Sequence, residues 1–328
     1  MPPRARFYRS ATIVGVVALA LVLVSLGAGD HDRSLAIGGA TRTYIVHVPP
    51  RVSEGRPLPA VFAFHGGGGN ASGFKAYAGL DALADREGFV VVYPDGSGRS
   101  GRRLLTWNAG GCCGYAAAQN VDDVGFTLAV LRDVARNVSV DAARVYATGH
   151  SNGAMMAYRL AIEASERLAA IAPVAGVMQA ASFPPPRPVS VLHIHSVEDP
   201  RALYAGGLGP PFPGTQSRVA HRAVEPELRR WVAHDRCPAE SRTVEQRTTP
   251  ARGGPDQTAT LLVWGPCVGG AEVQLWKLTG AGHGWPGGHV RLPETVMGPE
   301  TVTIDAALEV WRFVSRFRRP DAPEPDAR

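Results

Sequence analysis

A serine set between glycines at the start of a helical run has the makings of a nucleophile. Residues 149–153 read Gly149-His150-Ser151-Asn152-Gly153. The run before them, Arg144–Thr148, is short and β-prone, and Ala154–Leu160 after them is a good helix former. A strand that turns sharply into a helix lifts the central side chain clear of the sheet, and the flanking glycines relieve crowding in that turn. A serine placed there needs a base to take its proton, an acid behind the base, and N–H donors for the oxyanion. In proteins built on such a turn, acid and then histidine follow the serine along the chain. Asp199 lies just past the strand-like run Val189–His195, with Glu198 as the alternative acid. His283 lies in the glycine-rich stretch Thr279–His289 that follows the strand-like run Glu272–Leu278; His289, further from the strand end, is the weaker base.

The donors are expected from two places. Ala60–His65 leads into Gly66-Gly67-Gly68-Gly69-Asn70, a bare backbone that an oxyanion can approach, so Gly67 and Asn152 are the expected N–H pair. A phosphate loop is excluded, because no G-x-x-x-x-G-K-[ST] is present. Trp107 and Trp285 are read as lining the cleft and stacking on a sugar or aryl group, with core packing as the equal alternative. His193 and His195 fall within a strand and read as satisfied core histidines. Asp122 and Asp123 precede the serine and suit the first turn of a helix over Asn120–Asn137, where the helix dipole favours them. The chemistry asks for no metal and no cofactor, and the cysteine spacing does not suit zinc.

These groups need a sheet that collects them at one edge. Strands are expected at Thr43–Val48, Ala60–His65, Phe89–Tyr93, Arg144–Thr148, Leu168–Val174, Val189–His195, Thr258–Trp264 and Glu272–Leu278. Helices are expected at Gly73–Arg86, Asn120–Asn137, Asn152–Ser165, Val219–His234 and Thr301–Phe317. Continuous apolar strands alternating with helices predict an α/β fold, a mainly parallel central sheet with helices on both faces. The expected layout is one domain over 36–318 with a flexible tail at 319–328. Pro184–Pro188 and Pro210–Pro213 read as rigid surface loops, and the Arg99–Ala118 loop is placed to cover one edge of the site.

Arg4, Arg6 and Arg9 precede an uncharged stretch from Ala11 to Ala28. This is the pattern of a signal peptide over 1–28, or of an uncleaved anchor that would be the chain's only membrane contact. The chain carries 34 basic and 29 acidic residues, and without this segment 31 basic residues remain. Only Lys75 and Lys277 are lysines, and no basic run with interleaved aromatics occurs, so nucleic acid is excluded as a partner. Four cysteines suit an oxidising, extracellular location. Cys237–Cys267 is the simplest pairing, a Cys112–Cys113 bridge between neighbours is a further one, and spacing alone leaves the connectivity open.

Several stretches together carry a family resemblance: Phe64-His65-Gly66-Gly67; Trp107-Asn108 with Cys112-Cys113-Gly114; Asn120–Phe126; Gly149–Met156; and Gly282-His283-Gly284-Trp285-Pro286-Gly287. Across Ala36–Phe317 the chain resembles the secreted polyhydroxybutyrate depolymerase and feruloyl esterase family (LpqC-like), related to the family 1 carbohydrate esterases. The resemblance implies an α/β-hydrolase fold, a triad of Ser151, Asp199 and His283, and metal-free hydrolysis of an ester, polymeric substrates included. The acid segment His195-Ser196-Val197-Glu198-Asp199-Pro200 departs from the family's H-G-x-x-D-P at Ser196. Hydroxyalkanoate, feruloyl-polysaccharide and acetyl-xylan esters all fit. The rival readings are a serine peptidase of the same fold and a non-catalytic surface binding protein on a hydrolase scaffold.

Overall fold

Runs of β-branched and aromatic residues, too apolar to face water on either side, set the centre of the molecule. The computed structural model describes residues 26–320, apart from 100, 102, 181, 213–215 and 251–254. The expected N-terminal apolar segment up to residue 25, Pro213, and the tail beyond residue 320 lie outside the described residues. The main strands are β1 (Gly29–Ile37), β2 (Ala40–Val48), β3 (Leu58–Phe64), β4 (Val90–Pro94), β5 (Val140–His150), β6 (Ala170–Val174) and β7 (Ser190–Ser196). Two short strands, β8 (Gly207–Leu208) and β9 (Ala220–His221), pair with each other; β10 (Arg242–Thr249), β11 (Gln257–Trp264) and β12 (Val273–Thr279) complete the sheet. The helices are α1 (Ala71–Ala78), α2 (Leu80–Glu87), α3 (Gly114–Ala118), α4 (Asp123–Asn137), α5 (Asn152–Glu163), α6 (Val224–His234), α7 (Glu294–Met297) and α8 (Ala306–Val314).

The ten-stranded sheet runs β1-β2-β4-β3-β5-β6-β7-β12-β11-β10. Its middle, β4-β3-β5-β6-β7-β12, is parallel throughout. Antiparallel pairs close both edges, β1 with β2 on one side and β11 with β10 on the other. Alternate residues of β3 enter opposite cores. Phe62 and Phe64 pack with α4, α5 and α6, whereas Val61 and Ala63 pack with α1, α2 and α8. A parallel sheet covered on both faces, with an antiparallel second strand and a sharp turn after β5, is the α/β-hydrolase arrangement. The ends of β3, β5, β7 and β12 therefore emerge at one edge.

The expected strands are all present, but two outer ones escaped the sequence reading. In β1 (Gly-Asp-His-Asp-Arg-Ser-Leu-Ala-Ile) and β10 (Arg-Thr-Val-Glu-Gln-Arg-Thr-Thr) the polar composition hides edge strands that need little burial. The sheet thus begins at Gly29, ahead of the expected Ala36 boundary. The helix expected over Gly73–Arg86 is two helices, broken at Gly79, whose φ of 67° ends α1 and starts α2. At the other end the chain is still held at Arg319, whose N–H donates to the Ala143 carbonyl at 2.8 Å. Among the described residues no helix is long and apolar enough to cross a membrane.

Cys237 and Cys267 are joined, tying the end of α6 to the segment before β12. The Cys237–Cys267 bridge closes a chain separation of 30 residues at the sheet end opposite His283. Replacing both cysteines by serine is expected to lower unfolding stability by about 2–4 kcal/mol in urea titrations, without disturbing the Ser151 site.

Candidate active site

The turn after β5 dictates the position of Ser151. Its φ of 56° and ψ of −119° are unfavourable for a side chain bearing a Cβ and are held by the surroundings. The Ser151 N–H donates to the Val174 carbonyl of β6 at 2.9 Å, and its carbonyl accepts from Met155 at 3.1 Å. The turn closes only because its flanks are bare. A Cβ on Gly153 would sit 2.2 Å from the Phe64 carbonyl oxygen, and one on Gly149 would sit 2.6 Å from the Gly153 backbone.

His283 Nε2 lies 2.8 Å from Ser151 Oγ, and its Nδ1 lies 2.7 Å from Asp199 Oδ2. The three side chains expected from the sequence thus meet at one edge of the sheet. The loop bearing His283 is clamped from several sides. Gly282 and His283 donate their N–H groups to the Pro299 and Met297 carbonyls, at 2.7 and 2.5 Å. The His283 carbonyl faces His150 Nε2 at 3.2 Å. Asp199 Oδ1 accepts from the Arg201 and Ala202 N–H groups at 2.7 and 2.8 Å. Although burial opposes its charge, the His283 and His195 rings hold its carboxyl far below the usual range. Glu198 points elsewhere: it is exposed and accepts from the Gly280 N–H at 3.0 Å. His289 is exposed, packing over Gly79.

The glycine loop after β3 runs beside the nucleophile. A Cβ on Gly66 would lie 3.5 Å from Ser151 Cβ, and one on Gly67 would lie 3.6 Å from Asn152 Cβ. His65 sets the loop's orientation. Its Nε2 accepts from the Gly96 N–H at 2.9 Å, so Nδ1 carries the proton and donates to the Gly66 carbonyl at 2.7 Å. Gly69 N–H donates to the same carbonyl at 3.0 Å. In a trans peptide N–H and C=O point oppositely, so the Gly67 N–H turns away from these donors. It has no acceptor among the described residues. Asn152 opens α5, where an N–H has no acceptor within the helix. Its side chain instead clamps the Trp107 backbone, accepting from the N–H at 2.7 Å and donating to the carbonyl at 3.1 Å. Leu105 accepts from the Gly68 N–H at 2.7 Å, so the Arg99–Ala118 loop does border the site.

Both tryptophans require correction. Trp107 is 0% exposed and stands edge-on to Phe64; its indole N–H donates to the His65 carbonyl at 2.9 Å. Trp285 is 2% exposed and stands edge-on to Phe74. Neither ring is available to stack on a ligand, because each fills space beneath the loops that form the site. The sequence reading missed Phe212. It lies on the excursion between β8 and β9, with ring atoms 3.4 and 3.0 Å from where Gly67 and Gly68 would carry a Cβ. With the exposed Leu104 it leaves apolar surface beside the glycine loop. The prolines around Phe212 were the only signal, and they spoke of a rigid loop rather than of a contact.

Among the described residues one cluster has metal-ligand types, Asp30, His47 and Asp81. Lys75 is already paired with both carboxylates, so the cluster is neutralised from within. Its members come from β1, β2 and α2.

The fold defines an α/β-hydrolase, and comparison with known sequences narrows it. Residues 42–230 match the family described as Esterase PHB depolymerase. The putative esterase NocK of Nocardia uniformis subsp. tsuyamanensis is 31% identical over 296 residues, covering 84% of this chain and 81% of that protein. The bifunctional acetylxylan esterase/xylanase XynS20E of Neocallimastix patriciarum is 27% identical, covering 85% of this chain and 34% of that protein. Feruloyl esterase B of Piromyces equi is 25% identical, covering 74% and 42%. The chain therefore spans well under half the length of these last two relatives. The chain belongs to the PHB depolymerase esterase family and is a carboxylic-ester hydrolase.

Burial holds the His65 and His150 imidazoles neutral, pushing them down to about 4 and about 3. The unfolded chain takes up protons on both below pH ~6.5, whereas the folded protein does so only near pH 3–4. Stability should therefore fall as pH drops from ~6.5 towards 4, with a slope of about 1.4 kcal/mol per pH unit for each histidine. Urea titrations at stepped pH check this, and His150→Gln should flatten the slope.

Proposed function

We propose that Ser151, His283 and Asp199 act as a catalytic triad for ester hydrolysis through an acyl-enzyme. The observation that carries this reading is the pair of bonds made by one imidazole, Nε2 to Ser151 Oγ at 2.8 Å and Nδ1 to Asp199 at 2.7 Å. The ionised Asp199 fixes the proton on Nδ1, leaving Nε2 free to take the serine proton as Oγ attacks the ester carbonyl. The oxyanion then accepts from the N–H groups of Gly67 and Asn152. Protonated His283 gives its proton to the departing alcohol, and a water activated the same way releases the acid.

The substrate reading is an aryl or hydroxyacyl ester, including one attached to a polymer. Three things support it: the acetylxylan and feruloyl esterases among the relatives, the partly exposed serine, and the apolar flank of Phe212 and Leu104. We also place the enzyme outside the cytoplasm, cleaved after an export signal over residues 1–28. Support comes from the arginine-flanked apolar segment and from the Cys237–Cys267 bridge.

Ser151→Ala should cut turnover of a p-nitrophenyl ester by a factor on the order of 10⁶, and unchanged turnover would refute the triad. Phe212→Ala should raise KM for methyl ferulate roughly tenfold, about 1.4 kcal/mol, while leaving KM for an acetyl ester nearly unchanged. Steady-state kinetics on both substrates distinguishes the two.

A further inference from the structure

Behind Asp199 lies a second line of polar side chains that the triad does not require. His193 and His195 occupy alternate positions of β7, so both project to the same face, where Tyr158 of α5 meets them. All three are buried, at 0%, 1% and 1% exposure. Tyr158 Oη is 2.9 Å from His193 Nδ1, and His193 Nε2 is 2.9 Å from His195 Nδ1. His195 Nε2 is 2.7 Å from the Ala202 carbonyl and 3.1 Å from Asp199 Oδ2.

The proton positions follow from the chain's end. The Ala202 carbonyl and the ionised Asp199 can only accept, so His195 Nε2 must carry hydrogen. With a single proton, His195 accepts at Nδ1, which puts the His193 proton on Nε2. His193 in turn accepts at Nδ1, from the tyrosine hydroxyl. Burial keeps His193 neutral, well below its ordinary range. The donors therefore all run towards the Asp199–Ala202 turn, and each bond polarises the next. The last N–H donates to the Ala202 carbonyl at 2.7 Å and lies 3.1 Å from Asp199 Oδ2. The N–H groups of that same turn hold Asp199 Oδ1.

We propose that Tyr158, His193 and His195 form a one-way hydrogen-bond chain that positions Asp199, with His195 as the positioning residue that locks its carboxylate towards His283. The inference rests on the triad reading. Burying three polar groups is costly unless each is paired, and here the line of pairs ends on the turn whose N–H groups hold Asp199.

The test uses the full chain. Histidine ¹⁵N NMR should show His193 and His195 neutral and protonated on Nε2. His195→Leu should lower kcat for a p-nitrophenyl ester on the order of 10–100-fold with KM unchanged, as a small displacement of a catalytic group does. His195→Gln, which restores a donor, should recover most of the loss. Tyr158→Phe, which removes one oxygen at the far end, should move the downfield proton resonance of His283 Nδ1–H. A charged or Nδ1-protonated ring, wild-type kcat in His195→Leu, or an unmoved resonance in Tyr158→Phe would each overturn the proposal. If Ser151→Ala is inactive while His195→Leu is fully active, this chain fails and the triad stands; an active Ser151→Ala sinks the underlying reading itself.

Discussion

The turn at Ser151 is the constraint on which the other parts of the site depend. A residue with a Cβ is held at a φ of 56° between a strand and a helix, with its hydroxyl outside the sheet. That conformation persists only because β3, β6 and α5 press against it with bare backbone. Gly153 against Phe64 and Gly176 against the Ser151 carbonyl leave no room for a methyl group. The same closeness brings the glycine loop alongside the serine, so the Ser151 hydroxyl and the Gly67 backbone are set by one packing event rather than two. The cost of the strained residue is borne by the sheet, which cannot relax without losing its parallel centre.

Around that turn sit buried, neutral imidazoles and one imidazole that bridges Ser151 and Asp199. His65 orients the glycine loop and His150 holds the carbonyl of the His283 loop, each as a neutral hydrogen-bonding strut. Only His283 sits between a hydroxyl and a carboxylate. His283 is as buried as His150, so its partners rather than its burial set it apart.

What the sequence disclosed follows the range of the interactions involved. Ser151, Asp199 and His283 stand in local signatures: a glycine-flanked turn, an acid past a strand, a histidine in a glycine-rich loop. Their meeting needed only the parallel order of the strands, which alternation of apolar runs and helices foretold. The fates of Trp107 and Trp285 depend on which loops lie over them, and no local pattern encodes that. Phe212 belongs to the same class, since about half of the domain's chain length separates it from Gly68. The polar strands β1 and β10 were invisible to a search for apolar runs. The partners of His193 were hidden because strand periodicity says which face a ring takes, not what waits there.

The outermost strand, β10, has a further consequence. One side of its backbone is left unpaired at the rim of a ten-stranded sheet, a ready template for another chain. Its sequence places Arg242, Glu245 and Arg247 along that rim, and Arg247 is tied to both Glu245 and Glu309. An approaching copy would have to strip water from these charges before any ladder could form. The rim thereby discourages a second copy from extending the sheet at β10.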